Sequence, residues 1–162
     1  MILPPPLRET LVRVAVAMAP AAGPWWIISS AAVALHGADP GPVGDVDVLI
    51  DLRDAEHVLT ALHLPVRSGT GNGLFRSAVF ANWHGPPLPV EIFAGFQLCE
   101  GGAWHDIVPA SREQVAVDEH TLWIPSRAEL QAMLLRFGRE KDRARAAVLS
   151  PSDPSPSRSG NA

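Results

Sequence analysis

The six residues Asp45-Val46-Asp47-Val48-Leu49-Ile50 constrain the fold more than any other stretch of the chain. Val46, Val48 and Ile50 are β-branched and alternate with Asp45, Asp47 and Leu49, so the segment reads as a strand with apolar residues on one face and two carboxylates on the other. The apolar face requires a covering layer. The carboxylates require neutralisation, because adjacent anions on a largely buried strand repel one another and resist desolvation. A hard divalent cation meets that need, and Mg²⁺ suits a pair of carboxylates plus substrate phosphates. Solvated acidic pairs at strand ends are common, however, so an isolated Asp-x-Asp says little without its flanks.

Upstream, Leu7, Leu11, Val14 and Met18 recur at helical spacing and predict an amphipathic helix ended by Pro20 and Gly23-Pro24. Trp25-Trp26-Ile27-Ile28 then reads as a buried strand, Ser29-Ser30 as a tight turn, and Ala31 to Leu35 as a short helix stopped by Gly37. Downstream, Ala55, Val58, Leu59 and Leu62 mark a helix face capped by Asp51 or Asp54. The glycines and Asn72 of 69–73 suit a hairpin loop joining Leu64–Arg67 to Leu74–Trp83. A strand is expected over Pro89–Phe93, where Glu91 alternates against Val90 and Ile92 and stands on the opposite face. If that strand neighbours the first, three acids converge. Short strands near His105–Val108, Gln114–Val117 and Thr121–Ile124 follow. Ser126-Arg127-Ala128-Glu129 is a capping box opening a helix that buries Leu130, Met133, Leu134 and Phe137.

At 162 residues, 47% of them hydrophobic and 19% charged, the chain has the balance of one globular domain, expected over 1–149 with a disordered Ser/Pro/Gly tail over 150–162. No apolar run reaches membrane-spanning length, Met1–Leu7 does not read as a signal peptide, and the single Cys99 suits a reducing cytoplasm. The net charge of -4 argues against general affinity for nucleic acid. Residues 69–73 lack the Gly-Lys-Ser/Thr ending of a P-loop, and the six histidines lack zinc spacing. The basic run Arg136, Arg139, Lys141, Arg143, Arg145 reads on its own as a solvated helix end. Trp83, beside His84-Gly85-Pro86-Pro87, is a candidate for the lining of a substrate pocket.

From Trp25 to Phe93 the order of parts resembles the nucleotidyltransferase superfamily related to DNA polymerase β: a strand ending in small residues, a short helix, a Gly/Pro loop, the Asp-Val-Asp strand and a later lone acid among apolar residues. Within it the chain is most similar to small bacterial members, grouped with aminoglycoside adenylyltransferases and with nucleotidyltransferase toxins. The resemblance implies an α+β fold, a mixed β-sheet flanked by helices with a C-terminal helix. It implies catalytic and metal-binding roles for Asp45, Asp47 and Glu91, with one or two Mg²⁺ ions. Ser29 and Ser30 take the phosphate-turn positions, and Lys141, in Arg139-Glu140-Lys141-Asp142, matches a C-terminal Lys-Asp element.

Two departures qualify the likeness: Ser29 stands where the family has a glycine, and Met133 or Leu134 where it often has a lysine, for which Arg136 or Arg139 is a substitute. The expected activity is transfer of a nucleoside monophosphate from an NTP to a hydroxyl of a small molecule or protein. A second copy of the chain, as a homodimer, is a candidate to complete the acceptor pocket. The alternative is a nucleotide-binding or protein-interaction module of the same fold that has lost turnover. Metal-dependent glycosyltransferases also use Asp-x-Asp but need a larger domain.

Overall fold

The computed structural model describes residues 2–69 and 71–151. The tail expected from Ser150 therefore lies, from residue 152 onward, outside the described residues.

The chain enters through α1 (Pro5–Met18), whose first turn carries proline where a missing N–H costs nothing, and which buries Leu7, Leu11, Val14 and Met18. Then come β1 (Trp26–Ile28), α2 (Ser29–Leu35), β2 (Val46–Ile50), a 3₁₀ turn (Leu52–Asp54), α3 (Ala55–Ala61), β3 (Phe75–Trp83) and β4 (Val90–Glu100). The remaining elements are β5 (Ala103–Asp106), β6 (Glu113–Val117), β7 (His120–Ile124), α4 (Arg127–Phe137) and α5 (Glu140–Leu149).

The main sheet runs β1-β2-β4-β3, with β5 pairing the far end of β4. It is mixed: β1 is antiparallel to β2, β2 parallel to β4, and β4 antiparallel to β3 and to β5. The hairpin β6-β7 forms a second sheet, with β7 lying against β1. This is the α+β architecture expected, a mixed sheet flanked by helices with helical structure at the C-terminal end.

Register explains why one face is wholly apolar and the other carries the acids. Val46, Val48 and Ile50 lie beside Val90, Ile92 and Ala94, all buried, while Asp47 and Leu49 lie beside Glu91 and Phe93 on the other face. Burying such side chains is worth about 1.5–3 kcal/mol each, and slipping β4 by one residue would turn its apolar set outward.

Four local expectations are corrected. β4 does not stop at Phe93 but continues to Glu100 through Gly95, whose φ of +62° bends the strand without ending it. The stretch Leu64–Arg67 is not a strand, Pro65 lacking a ladder donor; it meets β3 through the Phe80 N–H donating to Arg67 O (2.9 Å), next to an isolated bridge from Gly69 to Ser77. Asp51 caps the 3₁₀ turn through the Arg53 N–H (3.0 Å), whereas the Asp54 carboxylate accepts from the Ala22 and Gly23 N–H groups at 2.9 and 2.8 Å and fastens α3 to the loop before β1. The capping box is half formed. Ser126 Oγ accepts from the Glu129 N–H, but the Glu129 carboxylate turns to the Ala110 and Ser111 N–H groups, both 2.8 Å, and to the Ser111 hydroxyl.

The C-terminal helical segment is two helices. Gly138, at φ +71°, ends α4 with its N–H donating to Leu134 O, and Arg139 begins α5. The basic run is thus not one solvated helix end: Lys141 lies in the first turn of α5, where the helix dipole disfavours a cation.

Candidate active site

One level of the sheet carries the acids. Ile28 pairs with Asp47 and Asp47 with Glu91, so Ser29, the residue after Ile28, follows directly beside the acidic pair. One carboxylate oxygen each from Asp45, Asp47 and Glu91 lie within 4.8 Å of one another. Asp47 is the most confined of the three. Its Oδ1 is buried and, among the described residues, accepts no hydrogen bond. Burial, then the negative charges of Asp45 and Glu91, push its carboxyl up to about 8, against the opposing influence of the neighbouring Ser29 side chain.

This arrangement fits a hard divalent cation on the structure's own terms. Three oxygen donors converge, one of them is orphaned, and burial together with mutual repulsion raises the proton affinity of the central acid.

Ser29 has φ +59°, a left-handed conformation that glycine adopts freely and serine at a cost of about 1–2 kcal/mol. The backbone therefore keeps the shape a glycine would supply. Ser29 lines the cleft over the acids; Ser30, 2% exposed, is buried behind it and does not.

The cleft has a volume of about 530 Å³. Its far side is aromatic: all five phenylalanines of the chain line it. Phe80 lies opposite Phe93 across the β3–β4 ladder with rings 5.2 Å apart, Phe96 is 5.1 Å from Phe93, and Phe75 is 5.4 Å from Phe96 and 5.0 Å from Phe137. Strict alternation would put Phe96 on the face of Ile92 and Ala94. The bend at Gly95 brings it beside Phe93, and a Cβ at that glycine would come 2.8 Å from Ala78 Cβ.

Cations border the same space. Lys141 and Arg145, one helical turn apart on α5, line it. Arg139 lies over the Phe75 ring at 4.9 Å, and its guanidinium is gripped by the wholly buried Asp142 at 2.6 and 3.1 Å. Arg136 instead pairs with Glu100 at 2.5 Å and lies outside the cleft, so of the two guanidinium substitutes it is Arg139 that borders the site. Trp83 also lies outside: it packs under Arg13, 5.8 Å from the ring centre, and is not part of the cleft wall.

The structure thus brings Ser29, Asp45, Asp47, Glu91 and Lys141 to one cleft and leaves Ser30 behind it. Sequence reasoning passed over the phenylalanine wall. Its only trace is the clustering of four of the five phenylalanines within Phe75–Phe96.

No family model matches the sequence, and comparison with curated proteins finds no match either. Solved structures do match. A protein of Thermotoga maritima assigned as a nucleotidyltransferase aligns with a TM-score of 0.67 at 22% identity, covering 83% of this chain and 86% of its own. This chain has the nucleotidyltransferase fold. The antibiotic-resistance factor ANT(2'')-Ia aligns with a TM-score of 0.56 at 12% identity, over 88% of this chain and 82% of that one. An antigenic nucleotidyltransferase-like protein from Paracoccidioides brasiliensis aligns with a TM-score of 0.53 at 16% identity, over 88% and 73%. Among the described residues no helix of this nucleotidyltransferase fold is long and apolar enough to cross a membrane.

Proposed function

We propose that the protein is a Mg²⁺-dependent nucleotidyltransferase that moves a nucleoside monophosphate from an NTP to a hydroxyl of a small molecule or protein. The observation that carries this reading is the acid cluster itself: three carboxylates brought together on adjacent strands, with the Asp47 Oδ1 orphaned at their centre. Asp45, Asp47 and Glu91 would hold the cation, which supplies charge neutralisation for the phosphates and the leaving pyrophosphate.

The protein's own groups supply the rest. Ser29 presents its backbone N–H toward the triphosphate, with Ser30 packed behind it, while Lys141 adds positive charge along the phosphates. Glu91, at the edge of the acid cluster nearest β3, accepts the proton of the attacking hydroxyl. With a net charge of -4 on the whole chain, a nucleic-acid acceptor is disfavoured.

A second reading, a nucleotide-binding module without turnover, is favoured by one observation: Ser29 places a side chain at the left-handed position where the phosphates would approach. A crystal soaked with Mn²⁺ and a non-hydrolysable NTP, paired with transfer of label from α-labelled NTPs, tests both. Ions among the three acids with label transfer are the expected result. Binding without transfer selects the module, and phosphates bound away from the acids overturn the site.

A further inference from the structure

The rim of the cleft has a chemistry of its own. Among the described residues its lining contains no carboxylate beyond the three acids, yet it contains four cations, Arg76, Arg139, Lys141 and Arg145. A polycationic acceptor, such as an aminoglycoside, would find its only counter-charges already committed to the metal, and would face like charges around them. The same cleft leaves the rings of Phe75, Phe80 and Phe93 half-buried, Phe80 packed on Phe93, Phe93 on Phe96, and Phe75 on Phe96 and Phe137. Partly exposed aromatic faces next to a reaction centre suit a flat aromatic ligand.

Which half of the reaction the wall serves follows from its place on the sheet. On the functional reading above, pyrophosphate leaves toward Ser29, on the β1 side of the acids. In-line displacement then brings the attacking oxygen from the opposite side. That side is the one on which Phe93 lies two residues along β4 from Glu91, with Phe80 directly opposite it on β3.

We infer that the acceptor is an aromatic small molecule bearing a hydroxyl and no positive charge, seated on Phe80 and Phe93 with its oxygen toward Glu91. The inference rests on the nucleotidyl-transfer reading. The acceptor oxygen forms a bond to the α-phosphorus, the bond from that phosphorus to the bridging oxygen breaks, pyrophosphate leaves with the electron pair, and the hydroxyl proton passes to Glu91. Arg76, exposed on the cleft lining, would favour a carboxylate on the ring.

The test uses the full chain with Mn²⁺ and a non-hydrolysable NTP, and calorimetry with 4-hydroxyphenylacetate and kanamycin as probes. The expected result is binding of the aromatic probe and not of kanamycin. Phe80→Ala, and Phe80→Leu as the variant that keeps apolar bulk, should weaken the aromatic probe roughly tenfold while leaving NTP affinity in place. Loss of NTP affinity in parallel would make the wall a nucleobase platform and overturn the inference. So would binding of kanamycin, or of neither probe, by a protein that binds NTP. A protein that binds the aromatic probe through Phe80 but neither binds nor turns over NTP defeats the transferase reading and leaves the aromatic seat standing.

Discussion

The two ends of the cleft are built by opposite means. The acid end comes from regularity: uninterrupted parallel pairing sets Asp47 against Glu91, and the alternation of two short strands does the rest. The aromatic and cationic end comes from interruptions, the bend at Gly95 that swings Phe96 beside Phe93 and the break at Gly138 that starts a new helix with Arg139 and Lys141 at its head. The ends also differ in how their costs are met. The rings satisfy one another and Arg139 is gripped by Asp142, whereas the acids repel and hold an orphaned oxygen. The unfinished end is the one that calls for a cation.

The largest effect that would break this contrast is at Asp47. Asp47→Asn should lower nucleotidyl transfer on the order of 10³-fold and abolish Mn²⁺ binding by electron paramagnetic resonance, yet raise the melting temperature of the metal-free protein at pH 8. A fall in stability there would mean that the acid end is satisfied as it stands. Gly95→Ala attacks the other end: a side chain at φ +62°, 2.8 Å from Ala78 Cβ, should cost about 2 kcal/mol in chemical denaturation. Mn²⁺ affinity should be spared, because the acids owe nothing to the bend.

Ser29→Gly tests the seam between the ends. It should stabilise the fold by about 1 kcal/mol by removing left-handed strain, and tighten NTP binding if the serine side chain crowds the phosphates. Unchanged NTP affinity would clear Ser29 of that charge. The pH response reads the acid end directly. Asp47 is raised from an ordinary 3.8 to about 8, so the folded state holds more protons than the unfolded one between those values. The resulting penalty is absent below the lower value, grows between the two and levels off above the upper one. Metal-free protein should therefore melt at a lower temperature at pH 8 than at pH 6, Asp47→Asn should lack that slope, and Mg²⁺ should raise the melting temperature more at the higher pH.

The same contrast explains what the sequence disclosed. Asp45, Asp47 and Glu91 were legible because strand alternation has a period of two and needs only a few residues to declare itself. The core helices were legible for the analogous reason, down to Leu130, Met133, Leu134 and Phe137, all four buried as expected. The full length of β4 was not, since Gly95 reads as a stop while its neighbours' pairing to both β3 and β5 is a long-range fact. Glu129 was assigned to its own helix and serves a distant loop instead, because Ala110 and Ser111 stand nearer than local sequence can reveal. The aromatic wall escaped notice for both reasons together: its rings come from three elements, and one reaches the cleft only through a backbone conformation reserved for glycine.

The parallel pairing of β2 with β4 carries a consequence for how the protein comes to exist. Asp47 and Glu91 are 44 positions apart in the chain (91 minus 47), and β2 and β4 can meet only after the segment between them, with α3 and β3, has folded back across the sheet. A newly made chain that has emerged only as far as Ile50 carries two of the three acids and no cluster. Convergence of the acids is thereby deferred until the sheet has closed, so a cation that they held would reward the completed molecule without helping to start it.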